Sequence, residues 1–203
     1  MCLLASLLFA VSANVDNFSV GISYGIKKIR IGYLSNLLIA AISALGTFIS
    51  MYAGMIISRT IPLNVSNALG GLILLILGLW QIIESLVNSY IIKAKTSSKD
   101  NKITCEVLLN NPEIADIDKS GYIDVKESIS LAFALTINNF GLGISTSMTG
   151  IEIVPTVAFT FLFSIFMLFT GYLLGERYLS KIAGKYAPLA SGVIIFALGI
   201  HSL

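Results

Sequence analysis

The sequence predicts an all-α integral membrane protein of six transmembrane helices, arranged as two inverted three-helix repeats. Three observations predict it. Of the 203 residues, 56% are hydrophobic and only 12% are charged, where a soluble domain carries about 25% charged residues. Apolar runs near the roughly 20 residues that cross a bilayer recur at 3–25, 33–57, 67–88, 129–149, 155–175 and 187–203. The first three runs are echoed by the last three. Val15-Asp16-Asn17-Phe18-Ser19-Val20-Gly21-Ile22-Ser23 matches Ile137-Asn138-Asn139-Phe140-Gly141-Leu142-Gly143-Ile144-Ser145, Ala53-Gly54-Met55 matches Thr170-Gly171-Tyr172, and the Gly71 to Gly78 stretch matches Gly192 to Gly199. An odd number of spans per copy turns the second copy upside down, the plan of many secondary transporters. A duplicated bundle serving only as a scaffold is the plainer alternative. The units are 1–88 for the first repeat, 89–128 for a polar middle loop and 129–203 for the second repeat.

The first run starts at Met1 without a basic flank or a cleavage-like site, so it is expected to be a retained span. Near its middle stand a carboxylate and amides. An ionisable side chain there costs about 2.5–3.5 kcal/mol on insertion scales, and such residues are functional by default. On a helix Ser12, Asp16, Ser19 and Ser23 share one face, and Asn17, Gly21 and Gly25 share the next. The first face together with Asn17 reads as a polar transport site, and Gly21 and Gly25 as a stripe of helix packing. The fourth span repeats this with Asn138 and Asn139 as site residues and Gly143 and Ser147 as packing residues. The second span adds Ser43, Gly46, Ser50 and Gly54, the fifth Thr156, Thr160, Ser164 and Gly171, all expected to turn away from lipid. Carboxylate, amide and hydroxyl oxygens suit hard divalent cations or a proton. Asp16 as an acid that only holds helices together is the alternative. Glu84 and Gln81 near the end of the third span, and Trp80 and His201 at matching repeat positions, read as interfacial residues.

The middle loop contains Asp116, Asp118, Ser120, Gly121, Tyr122, Asp124 and Glu127 at the spacing of an EF-hand calcium loop. Gly121 permits the turn, Tyr122 offers its carbonyl, and Glu127 closes the site. Calcium or manganese is the ion this set suits. A capping box from Asp124 to Glu127 on a solvated acidic loop explains part of the pattern too. Pro112 is unfavourable to a long entering helix.

Lys27, Lys28 and Arg30 follow the first span, Lys93 to Lys126 the third, and Arg177, Lys181 and Lys185 the fifth, whereas the other connections hold only Arg59 and Glu152. The positive-inside rule then puts the middle loop in the cytoplasm and both termini outside the cell membrane. A net charge of +2 gives no argument for a nucleic-acid partner. Cys2 and Cys105 are far apart, and His201 is the sole histidine, which speaks against zinc or copper. The spans hold no Ser/His/Asp, HExxH or Cys/His set, so no enzyme is expected. The partners expected are the lipid bilayer and a divalent cation.

These motifs resemble those of the MntP family of manganese-efflux type, and Asp16 to Ile26 with the Asp118-Lys119-Ser120-Gly121 loop looks like the YtaF-type sporulation membrane proteins. The resemblance covers essentially the whole chain. It implies a multi-pass plasma-membrane protein of sporulating bacteria, either a manganese-type cation transporter or a sporulation scaffold or metal sensor without transport. It implies that Asp16 matches an acid of the pumps, which carry a second acid where this chain has Asn138. One of two charges that would balance a dication is therefore missing.

Overall fold

The computed structural model describes residues 2–91, 115–116, 118 and 120–178. The sixth predicted span, most of the middle loop, Cys105 and His201 lie outside the described residues. In chain order the elements are α1 (Cys2–Ala13), α2 (Val15–Lys27), β1 (Arg30–Ile31), α3 (Tyr33–Arg59), α4 (Leu63–Ile91), β2 (Tyr122–Ile123), α5 (Val125–Met148) and α6 (Ile153–Tyr178). Three of the described helices are long and apolar enough to cross a bilayer: Leu3–Lys27, interrupted at Asn14, Tyr33–Arg59 and Ile153–Arg177. The two halves of α5 meet at a 44° bend at Asn138 and make a fourth if counted as one span, and α4 adds the shorter apolar stretch Asn64–Trp80. The chain is a helical membrane protein.

Local chemistry sets the helix ends. After α2, Lys28 takes the left-handed conformation at φ 59°. Its N–H donates to the Gly25 carbonyl and that of Ile29 to the Tyr24 carbonyl, both at 3.1 Å, the paired bonds of a Schellman stop. Pro62 precedes α4 and its carbonyl receives the N–H groups of Val65 and Ser66. Asp124 and Glu127 form a reciprocal capping box at the start of α5. Gly150, at φ 79°, turns the chain between α5 and α6, and Pro155 sits in the first turn of α6, where its missing N–H costs nothing.

The helices bury their small and polar faces. Along α3, Ser35, Ile39, Ser43, Thr47, Ser50 and Gly54 are buried, while Leu45, Ile49, Tyr52 and Ile56 are exposed. Lipid tails are as apolar as leucine, so helices in a bilayer gain from close backbone contact rather than from burying large side chains. The glycines supply that contact. Gly21 and Gly25 of α2 lie against Gly171 and Gly175 of α6, and Gly54 of α3 lies against the Ile144 backbone of α5. Contact positions rise together along α2 and α6, from Gly21 with Gly171 to Gly25 with Gly175, so these helices run parallel. The same holds for α3 and α5, from Gly46 with Thr136 to Gly54 with Ile144. α4 runs antiparallel to α5, with Ser66 at Met148 and Leu77 at Gly141. The start of α3, at Gly32 and Tyr33, shares a cavity with Tyr172 and Glu176 near the end of α6, and Asn36 donates to the Ile165 carbonyl near the middle of α6 at 3.3 Å.

One end of the bundle is closed by β1 and β2, paired in parallel with Arg30 opposite Tyr122 and Ile31 opposite Ile123. Ile123 is fully buried in a cluster with Val20, Tyr24, Ile29, Ile39, Leu131 and Leu135. The last part of the middle loop is thus part of the packed core.

A methyl group at Gly21 would lie 2.5 Å from the Leu168 carbonyl oxygen and 2.9 Å from the Tyr172 nitrogen, backbone atoms that cannot rotate away. Gly21→Ala is expected to lower stability by about 1–3 kcal/mol in thermal unfolding of the detergent-purified protein. Gly141→Ala, whose Cβ would meet only Leu77 Cδ1 at 3.5 Å, is expected to be neutral or stabilising.

Candidate functional site

The first span stops being a regular helix at Asn14, and the hydrogen bonds around that residue are redistributed. The Asn14 N–H donates to Val11, three residues back, at 3.2 Å. That leaves the Ala10 carbonyl, which the Asn14 side-chain amide takes at 2.7 Å. The Asn17 N–H turns to the Asp16 carboxylate at 2.9 Å, which leaves the Ala13 carbonyl. The Asn139 amide of α5 reaches across to it at 2.6 Å. Asp16 therefore sits in the first turn of α2, where the helix dipole favours a negative charge. The Asn17 amide donates to Asn14 Oδ1 and to Ser164 Oγ of α6, both at 2.9 Å.

Three elements thus converge on the break: the first span, α5 through Asn139 and α6 through Ser164. Thr156 of α6 bonds Ser6 at 3.0 Å and Ser164 bonds Asn17, so Thr160, between them on the same face, stands at the level of the break. Its hydroxyl and the Asn17 Oδ1 are buried without hydrogen-bond partners. The site is a set of buried amide and hydroxyl oxygens at a helix discontinuity, with the half-buried Asp16 carboxylate beside them.

The predicted residues land as follows. Asn17 and Asn139 are buried, Asn139 facing the first span and Asn17 facing α6, and Ser12 is buried. Asp16, Ser19 and Ser23 are half-buried, and Ser19 folds back onto the Val15 carbonyl at 3.2 Å. The innermost face is the glycine stripe of Gly21 and Gly25, because α6 approaches closest there. Gly143 packs on Ser50 and Met51 of α3, and Ser147 is buried. Asn138 stands at the bend of α5, and its side chain lies outside the described set. The side chains of Gln81 and Glu84 also lie outside it, and Trp80 is exposed.

The second group of oxygens lies at the β1–β2 end. Carboxylate oxygens of Asp116, Asp118 and Glu127 come within 4.8 Å of one another. Asp116 accepts from the N–H groups of Ser120 at 2.9 Å and Gly121 at 2.8 Å, with Gly121 at φ 75° making the turn. Ser120 Oγ donates to the Tyr122 carbonyl at 3.0 Å, and Glu127 Oε2 accepts from the Asp124 N–H at 3.2 Å. Hydrogen bonds from the Ser120 side chain and backbone hold the Asp118 carboxyl below the ordinary carboxylate range. Asp124 serves as the cap of α5.

Sequence reading did not single out Asn14, Tyr24 or the Arg30–Ile31 strand. A weak signal existed for Asn14. It is an N-cap-type residue inside an apolar run and precedes an acid by two positions. Nothing local marks Arg30–Ile31, whose pairing depends on a partner about 90 residues away.

A family model described as "Putative manganese efflux pump" matches residues 2–82 and 102–203. The chain belongs to the MntP family. It is 32% identical to the "Probable sporulation protein YtaF" of Bacillus subtilis over the full length of both chains. It is also 27% identical to the "Putative manganese efflux pump MntP" of Bacillus pumilus, over 99% of this chain and 95% of that one. The protein of that name from Clostridium perfringens is 26% identical, over 100% and 94%. No solved structure matches. The family is described as an efflux pump, a transporter rather than an enzyme.

Removing the Asn139 amide strands the buried Ala13 carbonyl. Asn139→Ala is expected to cost about 1–3 kcal/mol of stability, read as a lowered melting temperature in detergent. Asp118 has its carboxyl pushed down, so the stability it lends is present above its ordinary value of about 3.9 and is lost as pH falls through its depressed value. Ser120→Ala is expected to move the Asp118 titration upward, toward that ordinary value, in a carboxyl-detected NMR titration.

Proposed function

We propose that this MntP-family chain carries a divalent cation of manganese type outward across the plasma membrane, with the break in the first span as its site. The observation that carries the proposal is the discontinuity at Asn14. There Asn17, Asn139 and Ser164 come together, buried, from three elements, with the half-buried Asp16 carboxylate accepting from the Asn17 N–H. Broken helices at the junction of repeats are where secondary transporters bind ions, because their unpaired termini and side chains replace water. Asn17 Oδ1 and the Thr160 hydroxyl, buried without partners, are free acceptors for such an ion.

Inverted repeats are supported by the helix directions. α6 parallels α2 and α5 parallels α3, while α3 starts where α6 ends. The two copies of the motif, on α2 and α5, therefore run in opposite senses. The proposed plan of six spans takes the apolar run at 187–203, outside the described residues, as the sixth. The β1–β2 pairing brings Lys27, Lys28 and Arg30 to the same end as the middle loop, which supports a cytoplasmic loop with both termini outside.

Asn138 leaves Asp16 as the sole acid of the paired motifs. A dication held by one carboxylate keeps a positive charge, which costs more to desolvate than a neutral set. That favours a second reading, a sporulation membrane protein that senses or scaffolds without transport, in line with the name of the 32% identical relative.

In cells lacking their own manganese export, the chain is expected to restore growth in high manganese and lower cell manganese. Asp16→Asn is expected to lose at least tenfold of that protection at unchanged membrane abundance. Wild-type behaviour of Asp16→Asn, with disturbed spore formation and normal metal content on deletion, decides for the second reading.

A further inference from the structure

We propose that the cavity between the start of α3 and the end of α6 holds one phospholipid whose head carries both a phosphate and a primary ammonium. The cavity measures about 450 Å³, and the residues that line it are all among those described. It is a different place from the break at Asn14 and does not depend on the transport reading.

The cavity straddles a membrane boundary. Its walls include Tyr33, the first residue of one span, and Glu176, the last but one of another. From Glu176 to Phe169, which also lines it, α6 descends by about 10 Å. The headgroup layer is about 5–7 Å deep on each side of the hydrocarbon, so the cavity runs from headgroup depth to acyl-chain depth. Tyr33 and Phe169 are exposed, and at this depth an exposed surface faces lipid.

The two ends differ in chemistry. Phe169 and Leu173 line the deep end, Arg30 and Glu176 the shallow one. Arg30 and Glu176 are both exposed, and no ion pair joins them although they line one cavity. A lone phosphate suits Arg30 and meets Glu176 as a like charge. A head with both charges suits both residues, because guanidinium pairs with phosphate oxygens and an ammonium brings N–H donors to a carboxylate. A soluble zwitterion leaves the apolar end unfilled, whereas an acyl chain covers Phe169 and Leu173.

Asn36 supplies an independent observation. It lines the same cavity and is only 8% exposed. Its amide N–H goes to the Ile165 carbonyl, and its Oδ1 has no hydrogen-bond partner. A buried acceptor left unpaired is costly. It favours a head that brings N–H donors, which a primary ammonium has and a choline head lacks. The bound lipid bridges β1, α3 and α6 at one end of the bundle.

The test is native mass spectrometry of the detergent-purified full-length protein with dioleoyl lipids bearing ethanolamine, choline or glycerol heads. One ethanolamine lipid is expected to stay bound, about tenfold more tightly than either of the others. Arg30→Ala and Glu176→Gln are each expected to weaken it about tenfold, at an unchanged melting temperature in lipid-free detergent. Glu176→Lys, which leaves two cations on the cavity, is expected to turn the preference toward the anionic glycerol lipid. Arg59→Ala, at an exposed base at the other end of α3, is expected to change nothing. Free phosphoethanolamine and inorganic phosphate are expected to displace the lipid only at about a hundredfold excess or more. Equal retention of the three lipids overturns the proposal, as does retention indifferent to Arg30→Ala, Glu176→Gln and Glu176→Lys, or weakened as much by Arg59→Ala. Displacement by an equal concentration of phosphoethanolamine or phosphate assigns the cavity to a soluble ligand and overturns it equally.

Discussion

Inside a bilayer there is no water to receive a carbonyl that a helix has let go, so any irregular turn must be satisfied by the protein itself. The break at Asn14 meets this demand residue by residue. Asn14 covers the Ala10 carbonyl with its own amide, and Asn139, from the second copy of the motif, covers Ala13. The second bond makes the irregularity of one copy depend on the other. A single regular helix would need neither amide, and Asp16 would then stand in mid-helix instead of in a first turn.

Close packing is what lets those amides reach. Helices separated by leucine side chains stand about 8–10 Å apart, whereas glycine faces let backbones touch. Gly21 and Gly25 meet Gly171 and Gly175, which draws α6 onto α2 and brings Ser164 to Asn17. The polar cluster and the glycine contacts are two consequences of one choice of small residues. Large apolar side chains such as Leu45, Phe166 and Phe169 are left to face outward.

The acidic turn follows a different logic. It lies at the end of the bundle, where β1 and Ser35 hold the β2 backbone and Ile123 fills the core. Three carboxylates gather on this turn, with oxygens within 4.8 Å of one another. The turn rests on the membrane helices, so this last part of the loop and the spans are packed together at that end.

Sequence by itself determined the helical membrane class, the family and the chemical character of both candidate sites. Apolar length, low charge and the position of Asp16 are local properties, and so is the Asp116 to Glu127 spacing that becomes a turn and a capping box. It did not determine which face of the first span is innermost. The periodicity offered Ser12, Asp16, Ser19 and Ser23 or, beside them, Asn17, Gly21 and Gly25 as equals. Tertiary structure put the glycines deepest, because closeness of approach depends on what α6 presents in return. It also selected Asn139 as the residue that crosses between copies, and it joined Arg30–Ile31 to Tyr122–Ile123. Each of these is a contact between distant segments, and helical periodicity carries no information about the distance between two helices.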